Sequence, residues 1–303
     1  MKKFLVKTII LFGIIVCIDA LFGVVMQPML LQTEKGDWGR SNYIANELKR
    51  EIIILGPSRA IHHYDPTIFA DSLGLSCYNC GEDGMGILLM YARYKHICER
   101  QIPKLVIYEF LPEYDFEAGD DTRYLKFLRP FPHDPINDSI MYSVSPSEKC
   151  KLMSKLYTYN SFFIDILSQR YSKATTTAHD YTYTALEGEM NYEPDLDEEG
   201  IEDPKADSLK LKYMEKLIED CQQNGTRLVF VTSPMYDGLW NTAFDWLSNI
   251  CEQNNIAYYN HYFDTAYYQK PALFKDSYYL NKEGAESFTR LLSHEIKMDI
   301  TRQ

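Results

Sequence analysis

A serine follows the first β-branched run in the body of the chain. Residues 51–60 read Glu-Ile-Ile-Ile-Leu-Gly-Pro-Ser-Arg-Ala, so that Ser58 ends a turn between an apolar run and a helix-like segment. In parallel α/β sheets the carboxyl ends of the strands hold the ligand sites, and a serine hydroxyl placed there can attack an acyl group. The alternative is that Ser58 only caps the following helix, because serine is a preferred N-cap.

Three side chains that can bind a ligand follow Ser58 within five residues. Arg59 can bind a carboxylate or a sugar oxygen, or it can simply cover the edge of the sheet. His62 and His63 lie about one helical turn after Ser58 and can therefore line a pocket. The structural alternative is that the two rings pack against Tyr64.

Apolar runs alternate with helix-like segments along most of the chain. This alternation of strand and helix predicts a doubly wound parallel sheet with helices on both faces. The predicted strands are 52–58 (including the serine turn), 74–78, 104–110, 227–232 and 256–260. The alternation is interrupted at about residues 116–204, which are predicted to form a mostly helical insertion with helices at 146–156 and 159–171.

Charge and composition exclude some classes of function. The chain has 303 residues, 46% of them apolar, and a formal net charge of −12. The apolar content is sufficient for a folded core, and the acidic balance argues against nucleic acid, which requires a basic surface. Neither a metal nor a cofactor is predicted. Cys77 and Cys80 form an isolated Cys-x-x-Cys pair, and the acidic tract at 187–203 lacks the closing glutamate of a calcium loop.

The N-terminus predicts a membrane anchor. Lys2, Lys3 and Lys7 precede an apolar run from Thr8 to Met26 that only Asp19 interrupts. The run gives about 28 Å of helix, close to the thickness of a bilayer core. The lysines predict a cytoplasmic N-terminus. Because no small-x-small site follows the run, an uncleaved anchor is favoured over a signal peptide.

These observations predict a simple organisation. The anchor occupies residues 1–28, a polar stem occupies 29–50, and one α/β domain occupies 51–303 on the periplasmic side of the membrane. Asp19 is costly in lipid, and so it is expected either near the outer interface or paired with another helix.

Two further blocks form a pattern with Ser58. Asn79–Gly84 follows the second predicted strand, and Asp276-x-x-Tyr279-Leu280-Asn281 precedes the last predicted helix. With Ser58, these blocks resemble those of the SGNH (GDSL-like) hydrolases, in particular their membrane-anchored relatives of the D-alanyl transfer and alginate O-acetyltransferase type. The resemblance covers about residues 51–110 and 226–297.

The resemblance implies roles for several of these residues. Ser58 would be the nucleophile, and the backbone N–H groups of Ser58 and Gly84 would form the oxyanion hole. Asp276 would orient the catalytic base. Asn79 belongs to the same block as Gly84 and is expected to line the binding site.

Two positions depart from the family pattern. Tyr279 stands where the family has its catalytic histidine, and Leu111-Pro112-Glu113-Tyr114 replaces the Gly-x-Asn-Asp block that supplies a side-chain oxyanion donor. With a reference pKa of about 10, only about one tyrosine in a thousand is ionised at pH 7. Tyr279 can therefore hydrogen-bond Ser58 but is a poor base. His261, which follows the last predicted strand, is a candidate replacement.

Two functions follow from this pattern and its departures. The first is a cell-envelope serine esterase or O-acyltransferase that acts on a surface polysaccharide or another acylated envelope molecule, with a membrane acyl-donor protein as partner. The second is a non-catalytic protein of the same fold that binds glycan or an envelope partner, because Tyr279 replaces the base.

Overall fold

The protein forms two compact units. The computed structural model describes residues 1–131, 134–160, 162–192 and 201–302, so that part of the predicted acidic tract lies outside the described residues. The first unit, here called the helical unit, comprises Met1–Glu47 and Asp121–Tyr181. The second, the sheet unit, comprises Leu48–Asp120 and Thr182–Gln303.

Five parallel strands form the centre of the sheet unit. They are β1 (Ile52–Leu55), β2 (Cys77–Asn79), β3 (Leu105–Glu109), β4 (Arg227–Thr232) and β5 (Ala257–Asn260). Their order across the sheet is β2-β1-β3-β4-β5, and each neighbouring pair is parallel. This is the flavodoxin-like order of doubly wound proteins, so the predicted fold class is confirmed.

Helices cover both faces of this sheet. Every residue of β1 and β3 is buried, which requires cover on both sides because successive side chains of a strand point to opposite faces. On one face Ile54 and Ile107 belong to the same core cluster as Phe288 of the last helix. The helices of the sheet unit are Ser58–His63, Pro66–Leu73, Ile87–Cys98, Pro112–Asp115, Ser208–Asn224, Thr242–Asn254 and Lys282–Arg302, with a 3-10 turn at Pro271–Leu273 and a two-residue parallel ladder between Ile201–Glu202 and Trp240–Asn241.

The strand order places a crevice between β1 and β3. Those two strands are neighbours, with Leu55 opposite Tyr108, but the chain leaves β1 towards β2 on one side and β3 towards β4 on the other. Ligands bind at such a switch point, outside the carboxyl ends of the strands. Ser58 follows β1, and residues 110–117 follow β3. Both segments therefore lie where a doubly wound sheet is expected to hold its ligand.

The helical unit is described by itself. Among the residues that the structure describes, its first helix (Lys2–Leu31, here called the apolar helix) is the one long and apolar enough to cross a membrane. The other helices of this unit are Gly36–Asn46, Leu125–Leu128, Pro135–Val144, Glu148–Lys151, Lys155–Tyr159 and Phe163–Arg170, with a 3-10 turn at Asp121–Tyr124.

Two local predictions for this unit need correction. The segment 29–50 is not simply a polar stem, because it contains the helix Gly36–Asn46 with a buried Trp38. The Trp38 ring lies 4.8 Å from the ring of Phe162 and 5.1 Å from that of Phe127. The single helix predicted at 146–156 is two short helices, since the Ser154 side chain caps the second of them by accepting a hydrogen bond from the Tyr157 N–H.

Candidate active site

The turn after β1 is shaped by one glycine. Gly56 has a φ of 138°, which residues other than glycine rarely adopt. A Cβ at this position would also lie 2.6 Å from the Glu109 carbonyl oxygen. The chain can therefore pass close to the end of β3 and begin the helix Ser58–His63 immediately. Ser58 is the first residue of that helix and is 4% exposed.

Tyr279 contacts the serine directly. Its hydroxyl donates a hydrogen bond to Ser58 Oγ over 2.8 Å. The loop that carries it is fixed by Asp276, whose Oδ1 accepts hydrogen bonds from the N–H groups of Tyr278 and Tyr279, each at 2.9 Å. Burial raises the pKa of Tyr279 above its usual value, although the Ser58 hydrogen bond opposes this. The side chain is therefore a neutral phenol at pH 7, a hydrogen-bond donor and not a base.

A cavity of about 270 Å³ opens in front of these two residues. Its lining combines aromatic rings, two carboxylates and the serine hydroxyl. The residues that line it are Ser58, Arg59, Leu111, Pro112, Glu113, Tyr114, Glu117, Met235, Gly238, Leu239, Asn241, Phe244, Tyr262, Tyr278 and Tyr279. The cavity therefore lies at the β1–β3 crevice, where the strand order places a ligand site.

His62 lies beside Tyr279, with the two ring centres 5.3 Å apart. Its Nδ1 donates to the Thr184 carbonyl oxygen at 2.7 Å, and its Nε2 lies 3.1 Å from Asp83 Oδ1. Burial alone would disfavour the charged ring, but the Asp83 and Thr184 acceptors outweigh it and raise the pKa of His62 above 6.5. Because both nitrogens face acceptors, His62 has no lone pair to offer Ser58.

His63 lies on the other side of the serine helix and is fully buried. Its Nε2 accepts a hydrogen bond from the Leu280 N–H at 3.0 Å, so Nδ1 carries the proton and donates to Ser233 Oγ at 2.8 Å. Burial and the neighbouring Arg59 guanidinium hold the pKa of His63 well below 6.5. Nε2 therefore fixes the loop before the last helix, and Nδ1 fixes Ser233, which follows β4.

Glu109 completes the buried arrangement at the end of β3. Its carboxylate accepts hydrogen bonds from Ser233 Oγ at 2.6 Å and from the Tyr64 hydroxyl. Arg59 Nε lies 3.7 Å from it, and Arg59 Nη2 donates to the Ser233 and Pro234 carbonyl oxygens. Burial raises the pKa of Glu109, while the Arg59 cation opposes the rise. Of the two roles predicted for Arg59, the structure favours support of the sheet edge.

One feature of Arg59 still connects it with the cavity. The residue lines the cavity wall, and its buried Nη1 makes no hydrogen bond to any residue that the structure describes. The positive charge of this guanidinium therefore lies next to Ser58, with Glu109 as its carboxylate partner.

Asn79 is structural and does not line the cavity. Its Nδ2 donates to the carbonyl oxygens of Ala60 and Tyr64, and its Oδ1 accepts from the Gly81 N–H. These bonds tie the loop after β2 to the serine helix. Gly84, in the same loop, has a φ of 69° but is not among the cavity-lining residues, so its oxyanion role stays a prediction.

His261 is not part of this site. Its Nδ1 lies 2.9 Å from Asp264 Oδ2 and its Nε2 lies 3.0 Å from Glu295 Oε2. It lines a separate shallow depression together with Trp240 and Phe263. Because a carboxylate lies within hydrogen-bond distance of each ring nitrogen, and because His261 does not line the Ser58 cavity, the structure gives no support to His261 as a substitute base.

The structure adds two acidic residues, Glu113 and Glu117, to the candidate site. Glu113 and Glu117 line the cavity, and Glu117 Oε1 accepts a hydrogen bond from Asn241 Nδ2 at 3.0 Å. Glu113 is exposed. Its place in the Leu111-Pro112-Glu113-Tyr114 segment at the end of a predicted strand was the available signal, since that position faces the ligand edge of a parallel sheet.

Comparison with known proteins gives distant structural likenesses. No family model and no curated protein matches the sequence. The chain is similar in structure to a Desulfitobacterium hafniense DCB-2 protein named as a lipolytic protein of the G-D-S-L family (12% identity, 80% of this chain and 98% of that chain, TM-score 0.41). It is also similar to a Bacteroides fragilis NCTC 9343 protein named as an acylhydrolase (11% identity, 84% and 89%, TM-score 0.39).

Proposed function

We propose that the cavity at Ser58 is the acyl-ester site of a serine esterase or O-acyltransferase. The observation that carries this proposal is the Ser58 hydroxyl at the β1–β3 crevice, which lines the cavity and accepts a hydrogen bond from Tyr279. A serine that only capped its helix would require neither a cavity nor a phenol directed at its Oγ.

Glu113 is the proposed proton acceptor. It is the exposed carboxylate of the cavity wall, whereas Glu117 is held by Asn241. Ser58 Oγ attacks the acyl carbonyl carbon, its proton passes to Glu113, and the departing alcohol takes that proton back as the acyl-enzyme forms. Water or an acceptor hydroxyl then attacks the acyl-enzyme and passes its proton to Glu113. The ester bond to Ser58 Oγ breaks, Ser58 takes that proton from Glu113, and the acid or the acylated acceptor leaves. Tyr279 holds Ser58 in position, and the nearby Arg59 charge favours the oxyanion.

The substrate proposed for this site is an acylated surface glycan. The cavity of about 270 Å³ accommodates a small acyl group and part of a sugar ring. The rings of Tyr114, Tyr262 and Tyr278 offer the apolar faces and hydroxyl groups that suit a sugar. With the apolar helix as an anchor and the lysines on the cytoplasmic side, the sheet unit would meet such glycans outside the membrane, where a membrane protein could supply the acyl donor.

The proposal can be tested with the full-length protein in detergent. A fluorophosphonate probe and aryl acetates report the nucleophile and its turnover, with Ser58→Ala as the inactive variant. Glu113→Gln should slow turnover by about 10²- to 10⁴-fold, the usual contribution of a general base. Glu117→Gln, which changes the other carboxylate of the same wall, should stay within a few fold. Failure of the parent protein to label, or equal rates for the two glutamine variants, would contradict the proposal.

A non-catalytic binding protein is the second candidate. It is favoured by Tyr279 being a neutral phenol and by His62 and His63 having both nitrogens engaged. Tyr279→His separates the two functions. Turnover that appears only in this variant would show that the native chain keeps the pocket of a hydrolase without its chemistry, whereas Ser58-dependent turnover in the parent excludes the binding-only function.

A further inference from the structure

The apolar helix has two parts with different surroundings. Residues 1–18 are exposed, whereas buried positions begin at Gly23 and continue with Met26 and Leu30. From Asp19 onwards the helix packs against other helices of the helical unit. The N-terminal part of the apolar helix is therefore exposed, whereas its C-terminal part packs within the helical unit.

Asp19 is the residue at which packing begins. Its carboxylate accepts hydrogen bonds from Ser154 Oγ at 2.6 Å and from the N–H groups of Lys155 and Leu156, each at 2.8 Å. One turn later, a Cβ on Gly23 would lie 2.5 Å from Lys155 Cγ, so the glycine allows this close approach. The start of the helix Lys155–Tyr159 is thus fixed at the level of Asp19, and the aspartate has the polar partners that an apolar environment requires.

The position of Asp19 along the helix sets a depth. Lys2, Lys3 and Lys7 mark one end of the membrane-spanning part, and the apolar run begins at Thr8. Asp19 lies eleven residues further on, about 17 Å along the helix axis, whereas the hydrocarbon core is about 30 Å thick. If the apolar helix spans a membrane, Asp19 and the segment that caps it lie within the outer half of the bilayer.

Exposed apolar side chains surround this same level. Met153 is 81% exposed, Leu156 41% and Ile164 63%. Met153 precedes Ser154, whose hydroxyl bonds Asp19, and Leu156 donates its own N–H to Asp19. Ile164 follows Phe163, whose ring centre lies 5.8 Å from that of Phe22. Large apolar groups so exposed are unfavourable in water but not in lipid. Met153, Leu156 and Ile164 are here called the apolar patch.

The charge of the surrounding segment fits the same environment. The chain as a whole has a net charge of −12, but residues 148–173 carry five basic side chains and two acidic ones. The basic ones are Lys149, Lys151, Lys155, Arg170 and Lys173. Basic side chains beside an apolar surface are attracted to anionic lipid headgroups.

We propose that the apolar patch is inserted in the lipid bilayer beside the apolar helix, in the leaflet on the side of the folded body. The helical unit is then a membrane-inserted platform and not a spacer, and the hydrogen bonds of Asp19 join its two inserted parts. This inference rests on the anchor in the proposed function but not on any catalytic step.

Quenching by brominated lipids tests the proposal in the full-length protein. Single variants Met153→Trp, Leu156→Trp and Ile164→Trp are reconstituted in vesicles containing anionic lipid, with and without bromine on the acyl chains. The chain has three tryptophans, so each variant has four. If all four emit equally, full quenching of the added tryptophan removes about a quarter of the total emission. Phe12→Trp, in the exposed part of the apolar helix, is the positive control, and Met298→Trp, an exposed methionine of the sheet unit, is the negative control.

The three patch variants should be quenched as Phe12→Trp is, and Met298→Trp should match the parent. Quenching of Phe12→Trp without quenching of the patch overturns the insertion while leaving the anchor in place; a second copy or a protein partner covering the patch gives this result. Absence of quenching at Phe12 as well overturns the anchor and the insertion together. Esterase activity is measured on the same samples, so failure of the catalytic proposal is recognised separately. Circular dichroism and the Tm confirm that each variant is folded.

Discussion

The two sides of the serine helix contain similar groups that the fold uses differently. The cavity side presents Tyr279, Glu113 and Glu117 around an open space. The buried side also contains a glutamate and a tyrosine, Glu109 and Tyr64, together with His63, but there each of these groups has an internal partner. The difference between them is therefore not composition but whether a lone pair or a proton is left for a ligand.

This comparison explains why a histidine near the nucleophile does not make a triad. His63 follows Ser58 by five residues, yet its nitrogens bond Leu280 and Ser233. A general base must have a free lone pair within hydrogen-bond reach of the proton it removes. The buried side thus positions the loop that carries Tyr279, and any chemistry has to come from the cavity side.

The largest effect is expected from a pair of matched glutamate variants. Glu109→Gln should lower the free energy of unfolding by about 3–5 kcal/mol, because it leaves the buried Arg59 guanidinium without its carboxylate. Glu113→Gln removes a charge from the exposed cavity wall and should change stability by no more than about 0.5 kcal/mol. Urea unfolding followed by circular dichroism measures both. Equal losses for the two variants would show that the buried side is not the structural one.

The next largest effect concerns two adjacent histidines with opposite pH dependence. The folded-state pKa of His63 lies below the unfolded value of about 6.5, so its contribution to stability is present above that pH and is lost as the pH falls. The pKa of His62 is raised, so its contribution is present below about pH 6.5 and is lost as the pH rises through the folded-state value. His63→Phe should also cost about 1–3 kcal/mol at neutral pH for each partner left unsatisfied.

The measurement is the Tm of the parent, His62→Phe and His63→Phe between about pH 5.5 and 8.5. The deficit of His63→Phe relative to the parent should shrink towards acid pH, and that of His62→Phe should shrink towards alkaline pH. Parallel curves for the two variants would mean that the rings occupy similar environments, and the distinction between the two sides of the serine helix would be lost.

The fold was predictable because its signals are local. Four of the five strands are near-continuous apolar runs, and periodic helices end at residues such as Asn224 and Gly225, so the alternation that defines the doubly wound sheet is visible in one sequence. The helical unit was not predictable to the same degree. Its polar segment 29–50 contains a helix whose Trp38 packs against Phe127 and Phe162, 89 and 124 positions further along the chain, and local composition does not record such contacts.

The site was predictable in its members but not in their roles. The position of Ser58 and its pairing with Tyr279 follow from the end of a strand and from one motif. The tasks of Asn79, His63 and His261 depend on which partner each nitrogen meets, and that is decided by distant segments. For Glu113 the reverse holds. Its side-chain chemistry is evident from the sequence, but its exposed position on the cavity wall is visible only in the folded chain.

The smallest effect is expected at Asp276, and it tests a role that the motif implies. In a serine triad the carboxylate must be charged to orient a histidine, and its amide variant loses about 10⁴ in rate. Here Asp276 Oδ1 accepts two backbone N–H bonds that shape the Tyr279 loop, which a neutral amide oxygen can also do. Asp276→Asn should therefore keep turnover of aryl acetates within a few fold of the parent, while Asp276→Ala should lose more because the loop is released. A loss of about a thousandfold or more in Asp276→Asn alone would mean that the charge is needed, and that the cavity side contains a base which Asp276 orients.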